Sequence, residues 1–376
     1  MHLFEAQLFD SPLSAAFHCY HSVADGASIC TDGKIDGKGP YEYLRDGGEY
    51  SHLYLSTSSS HQLTFLLLHT YTACTHSHYG YCDLSGGPIG QETVADCFKA
   101  GLDDALLPSA LQMLPSTIEF LFLNENEGLH ELKSGIFENM PNPSGLKALY
   151  FDDSNITTID EDAFWPLENL QVLSLNFNKV AVLQDDLLKL PKLIHFSING
   201  NPTPPDNPNF GPAGGYKPGQ LTSDGFTAKV FQHTPNLERF TALGNAGITK
   251  LHDGMFEGLS KLDTLFLLFT GLDNDSFSDD VFEPLVSMKF FDLGANFFTD
   301  LDPNWFGEWS SNIERLVFWK NQLGPITDPN IFAGMPKLKQ AYFEDNPNLL
   351  TIPRSYFSNN PDLEMLTLGP STTPER

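Results

Sequence analysis

At 376 residues, with 41% hydrophobic residues and 30 phenylalanines, the chain carries enough apolar side chain to bury a large core, which excludes a disordered polymer. Its 21 basic against 48 acidic residues leave a formal charge of −27, a sign that repels phosphate backbones, so no nucleic-acid partner is expected. No apolar run reaches the ~20 residues of a spanning helix, so no membrane span is expected in this chain.

Residues 1–81 carry no recognisable frame and hold eight of the 12 histidines. They are left without a fold, as a His-rich leader, an extended cap or a separate small domain. Leu63-Thr-Phe-Leu-Leu-Leu68 is short for a signal core, lies far from Met1 and follows no basic stretch. His69, Cys74, His76, His78 and Cys82 are zinc-type ligands at a spacing that matches no standard site, so no metal and no cofactor are expected. The five cysteines, Cys19, Cys30, Cys74, Cys82 and Cys97, all precede the last 279 residues. That clustering suits a disulfide-closed amino-terminal cap over 82–117 in an oxidising compartment, with Cys82–Cys97 the preferred pair and the other three unassigned.

From Ile118 to residue 371 one frame recurs about ten times: an apolar residue, others three and five positions later, and a small polar residue at the ninth position. The copies begin at Ile118, Leu146, Leu170, Leu193, Leu237, Leu262, Met288, Ile313, Leu338 and Leu363. The ninth residue is Asn in seven of them, and Ser154, Thr270 and Ser371 in the rest. An inward amide has the donors and the acceptor to satisfy the backbone of a buried turn. Apolar residues two apart make a strand with one buried face, and stacked copies make a parallel sheet. Opposite it, Phe164-x-x-Leu167, Phe256-x-x-Leu259, Phe282-x-x-Leu285 and Phe332-x-x-Met335, with Phe137, Phe306 and Phe357 in phase, predict a column behind single helical turns. The fold class is an α/β solenoid: a curved horseshoe with a parallel concave sheet and short helical or 3-10 convex segments. The starts at Leu193 and Leu237 are too far apart, and the Pro- and Gly-rich stretch at about 202–220 reads as an inserted loop; 372–376 is a tail.

Leu114-Pro-Ser-Thr-Ile-Glu-Phe-Leu-Phe-Leu-Asn-Glu-Asn126, followed by the Phe of each coil, resembles the cap-to-repeat junction of the extracellular leucine-rich-repeat family of Slit, Toll-like receptors and decorin-type proteoglycans. The resemblance covers about residues 82–371 and implies the fold, not one function. Two departures stand out: only two cysteines suit the amino-terminal cap, and no cysteine-bearing cap follows Leu368. The expectation is a fragment, such as a receptor ectodomain, or an unusual ending.

No phosphate-cradling loop, nucleophile elbow or zincin helix occurs, and His195, the one repeat histidine at an outward position, is read as a contact residue, so no enzyme is expected. Asp273-Asn-Asp275 with Asp279 and Asp280 lacks the Gly and final Glu of a calcium loop. Asn155-Ile-Thr157 and Asn274-Asp-Ser276 are glycosylation sequons.

The expected function is a non-catalytic secreted or cell-surface recognition module that binds a protein, peptide or glycan on its concave face. An intracellular scaffold or enzyme inhibitor with free thiols is the alternative, and oligomeric state is left open. In the amino-terminal half the fifth and seventh frame columns read Phe122, Asn124, Tyr150, Asp152, Ser174, Asn176, Ser197 and Asn199, which is mostly polar. In the carboxy-terminal half Leu243, Phe266, Leu268, Val317, Trp319 and Tyr342 are apolar where solvent is expected, with Phe290 and Phe269 beside them. These, with Asp292 and Glu344, form the candidate ligand site, and Gly294 is expected to leave a slot edged by Asp292.

Overall fold

A strand that buries one narrow face is stable only when neighbours stack on both sides. The computed structural model, which describes residues 18–21, 28–31, 77–79, 82–86, 91–200 and 221–370, shows that stack. The inserted loop, the tail, the sequence before Ser77 apart from one hairpin, and the His69–His76 histidine–cysteine cluster lie outside the described residues.

The chain divides into two units, 1–75 and 76–376. In the first, β1 (His18–His21) pairs antiparallel with β2 (Ser28–Thr31), which sets Cys19 opposite Cys30. The second begins with β3 (Ser77–Tyr79), β4 (Cys82–Ser85) and β5 (Val94–Asp96), paired antiparallel. Cys82 and Cys97 form a disulfide that ties the start of β4 to the end of β5. Helix α1 (Leu107–Met113) buries Leu107, Ala110 and Leu111 beneath this cap.

The repeat strands follow: β6 (Phe120–Phe122), β8 (Ala148–Tyr150), β10 (Val172–Ser174), β11 (His195–Ser197), β12 (Arg239–Thr241), β13 (Thr264–Phe266), β14 (Phe290–Asp292), β15 (Arg315–Val317), β16 (Gln340–Tyr342) and β17 (Met365–Thr367). Each is parallel to the next, and β6 joins β5, so the described residues form one sheet of 13 strands. Two short strands, β7 (Glu131–Leu132) and β9 (Thr158–Ile159), pair beside it. The fourth frame positions lie opposite one another along the stack, as in Leu121, Leu149, Leu173, Phe196 and Phe240, and all five are fully buried.

The ninth-position asparagines point inward and join successive coils. Asn321 Nδ2 donates to the Phe318 carbonyl in its own coil and to the Leu293 carbonyl in the coil before, both at 3.1 Å, while Oδ1 accepts from Phe298 N–H at 3.1 Å. Asn126, Asn178, Asn245, Asn296 and Asn346 repeat the backward donation. Ser154 does part of that work, donating to the Leu123 carbonyl at 3.0 Å. The turn that allows it is left-handed at the eighth position, where Glu125, Asp153, Phe177, Phe269, Ala295, Lys320 and Asp345 have φ between 51° and 58°. Side chains resist that conformation by about 1–2 kcal/mol each, so the ladder is gained against local strain.

Behind the sheet the connections are short 3-10 turns, among them Ile136–Asn139, Glu308–Asn312 and Arg354–Phe357. Phe137 stacks on Phe164 at 6.0 Å, and Phe231, Phe256 and Phe282 continue the column at 6.3 and 5.9 Å. Phe306 does not take the place expected of it. The 3-10 turn after it carries Trp309 into the core against Phe282 at 5.4 Å, and Phe306 remains half-buried.

A two-part concave sheet as the candidate recognition surface

Third, fifth and seventh frame positions project from the sheet face opposite the phenylalanine column. In the amino-terminal half the seventh-position side chains accept from the main chain of the next coil. Asn124 Oδ1 accepts from Asp152 N–H at 2.8 Å, Asp152 Oδ1 from Asn176 N–H at 3.0 Å, Asn176 Oδ1 from Asn199 N–H at 2.8 Å, and Asn199 Oδ1 from Leu243 N–H at 2.9 Å. This is a second ladder, absent from the sequence reading. Ser174 adds a bond to Asp152 at 2.5 Å and to Ser197 at 3.0 Å, and Phe122 stacks on Tyr150 at 4.8 Å. Burial pushes Asp152 up to about 6, against the opposing bonds from Ser174 and Asn176. Burial and the Asp152 charge also raise the Tyr150 phenol.

At Leu243 the ladder ends, because the seventh column becomes Leu243, Leu268, Gly294 and Trp319. Leu268, Phe269 and Ala295 form a small hydrophobic cluster of their own, flanked by Leu243, Phe266 and Trp319. Here the structure corrects three expected contact residues: Leu268, Val317 and Asp292 are only 0%, 3% and 1% exposed. It also closes the slot expected at Gly294. A Cβ there would collide with the Trp319 indole, which lies over the glycine and meets Phe269 edge-on at 5.7 Å. Sequence alternation places a side chain on a face but says nothing of a tryptophan leaning across a neighbouring strand.

Asp292 is therefore a carboxylate beneath the surface, not at the rim. Its Oδ1 accepts from Gly294 N–H at 2.8 Å. Burial pushes it up to about 8, opposed by that bond and by the Arg315 charge and reinforced by Glu344.

Of the expected residues, Leu243, Phe266, Phe290, Trp319, Tyr342 and Glu344 remain half-exposed. The structure adds Arg315 to them. Its guanidinium carbon lies 5.7 Å from the Phe290 ring centre and 5.8 Å from that of Tyr342, while Nε donates to Gln340 Oε1 at 2.7 Å. A guanidinium between two aromatic faces is held by their quadrupoles. The third column carries Arg315, so attention to the fifth and seventh alone misses it. His195 lies half-buried on β11 beside Arg239, and burial together with that charge pushes it down to about 3, which keeps the imidazole neutral. Among the described residues no cluster of three or more His, Cys, Asp or Glu side chains could hold a metal ion, and no helix is long and apolar enough to cross a membrane.

The architecture defines a curved leucine-rich-repeat solenoid, and comparison with known proteins agrees. The leucine-rich-repeat family pattern matches residues 116–180. Lumicans of Gallus gallus and Coturnix japonica are each 29% identical over 224 residues, covering 57% of this chain. The chain spans 55% of the length of those relatives. Among solved structures, the complex of TLR13 with ssRNA13 aligns at TM-score 0.51 and 21% identity, covering 72% of this chain and 38% of that one. The octameric complex of Latrophilin 3, Unc5D and the FLRT2 repeats aligns at TM-score 0.50 and 16% identity, covering 76% and 82%. The chain thus has the leucine-rich-repeat fold, carries that family's pattern over residues 116–180 and is similar in sequence to the lumicans.

Proposed function

We propose that the chain is a non-catalytic recognition module, secreted or on the cell surface, that holds a protein or peptide ligand against β13–β16. The observation that carries this reading is the half-exposed group of Phe290, Arg315, Tyr342 and Trp319, placed where the polar ladder stops. Aromatic and arginine side chains dominate the energetics of protein interfaces, and a neighbouring face whose polar groups are already paired gains little from a partner. Glu344 favours a partner with a basic or hydrogen-bonding group. A net charge of −27 argues against a phosphate backbone, although a neighbour of the same fold occurs with RNA. The Cys82–Cys97 disulfide and the resemblance to extracellular repeats support an oxidising compartment.

Trp319 is a poor probe because its removal uncovers Leu268 and Ala295. The test presents an array of secreted proteins and peptides to the full chain. Binders are then measured with Tyr342→Ala combined with Glu344→Ala, and with Trp165→Ala on the opposite side, where Trp165 is 58% exposed. The double variant is expected to weaken binding by more than about tenfold and the control to leave it unchanged. Equal affinity of the double variant and the wild type would move the site off this face.

A further inference from the structure

The chain has two sequons, and the structure treats their amides differently. An asparagine amide offers two N–H donors and one acceptor oxygen, and an N-linked sugar replaces one of those hydrogens. Asn274 uses everything it has. Its Nδ2 donates to the Asp300 carbonyl at 3.1 Å and to Asp300 Oδ1 at 2.5 Å, and its Oδ1 accepts from the Thr299 N–H at 2.8 Å and hydroxyl at 3.0 Å. This amide clamps the loop after β13 to the loop after β14. The sequon's hydroxyl is withdrawn as well: Ser276 is 2% exposed and donates to Asp273 Oδ1 at 2.8 Å.

Asn155 makes far less use of its amide. Nδ2 donates once, to the Glu127 carbonyl at 3.2 Å, and the Thr157 hydroxyl, although it donates to the His130 carbonyl at 3.0 Å, is on an exposed residue. Its backbone is left-handed, with φ 59°, a conformation asparagine adopts more readily than most side chains, and the neighbouring Ile156 is fully buried and fixes the turn.

We infer that Asn155 carries the N-linked glycan of the folded, secreted protein and that Asn274 does not, because the Asn274 amide is a structural clamp between coils. In the transfer step the amide nitrogen attacks the anomeric carbon of a lipid-pyrophosphate-linked oligosaccharide. An N–C bond forms, the C–O bond to the pyrophosphate breaks, and the amide gives up one proton. At Asn155 the second hydrogen still reaches the Glu127 carbonyl. At Asn274 the same substitution removes one Asp300 contact and sets a sugar where the next coil must close. Attachment precedes folding, so a chain modified at Asn274 has to close that coil without its clamp.

The inference rests on the secretory part of the proposed function, and forced secretion separates failure of one from failure of the other. The full chain, expressed behind a secretion leader in a eukaryotic host and purified as folded protein, is treated with peptide N-glycosidase in heavy-oxygen water, which marks each formerly glycosylated asparagine. The mark is expected at Asn155 and not at Asn274. Asn155→Gln should abolish the glycosidase-sensitive mass shift, with a loss of midpoint limited to the left-handed turn, whereas Asn274→Gln should keep the glycan and lower the midpoint by several degrees more. Equal marking of both asparagines, or an unmarked Asn155, overturns the assignment.

Discussion

Asp152 and Asp292 stand on the same face of the same sheet, yet their surroundings differ. Asp152 is gripped by Ser174 and Asn176 within a polar ladder and rises to about 6; Asp292 has Gly294 N–H beneath an apolar cluster and rises to about 8. The scaffold under both is one repeated unit. What separates the two halves is who satisfies the polar groups. In the amino-terminal half side-chain oxygens accept from the main chain of the next coil, and Ser174 links Asp152, Asn176 and Ser197. In the carboxy-terminal half apolar groups cover each other and leave Arg315 and the rings of Phe266, Phe290, Trp319 and Tyr342 half-open. The same repeated frame thus carries a polar ladder on one stretch of its face and an apolar, arginine-bearing group on another.

The largest expected effect sharpens the contrast between the two carboxylates. Both are raised from an ordinary 3.8, so the folded state keeps a proton that the unfolded chain has released. Stability is therefore fully present below about pH 4 and declines as pH rises, to about pH 6 for Asp152 and about pH 8 for Asp292, by up to about 1.4 kcal/mol per pH unit for each group. Asp292→Asn should remove the decline across the upper window, whereas Asp152→Asn should affect only the lower one. Urea unfolding measured from about pH 4 to about pH 8 decides it; parallel profiles for the two variants would erase the distinction.

A smaller effect tests whether the scaffold is the same on both sides. Asn321→Ala and Asn178→Ala each leave backbone groups of two coils unpaired and should each cost about 1–3 kcal/mol. A cost confined to one of them would show that the halves differ below the surface as well. The smallest effect concerns the eighth position. Lys320→Gly and Asp153→Gly relieve the same left-handed strain and should each stabilise by up to about 1 kcal/mol, read as matching rises in Tm. A gain at one site only would mean that the strain is not shared.

The frame of apolar positions is enough to place the sheet, its register and the inward asparagines, because these depend only on period. The cysteine pair is legible for a similar reason, since Cys82 and Cys97 cluster just ahead of the repeats. The left-handed eighth position is legible only in part: Phe177, Phe269, Ala295 and Lys320 are residue types that carry no turn signal, whereas Gly200 and Gly244, the latter with φ 71°, stand there as glycines. The site is legible in part. A period tells which side chains leave the sheet on one face, so Phe290, Trp319 and Tyr342 are found. It cannot tell how far a side chain reaches once there. Trp319 therefore closes the expected slot, Asp292 is buried rather than at the rim, and Arg315 emerges only when the rings on either side of it are seen.

The inward asparagine ladder gives the solenoid a polarity. Asn321 reaches back to the Leu293 carbonyl and the Phe298 N–H, and Asn346 reaches back to the Phe318 carbonyl and the Leu323 N–H. A coil followed by an inward asparagine is completed by its successor, whereas Thr270 donates within its own coil and to Asn296. Shortening the stack from its carboxy-terminal side strands two main-chain groups in the coil that becomes last. Shortening it from the other side leaves, in this ladder, only an amide side chain, which can turn to water; the sheet itself loses main-chain partners at either cut, as where the Glu314 and Arg315 N–H groups donate back to the Lys289 carbonyl. In this ladder the two faces of a coil are chemically unequal, in the way the two ends of a growing filament are.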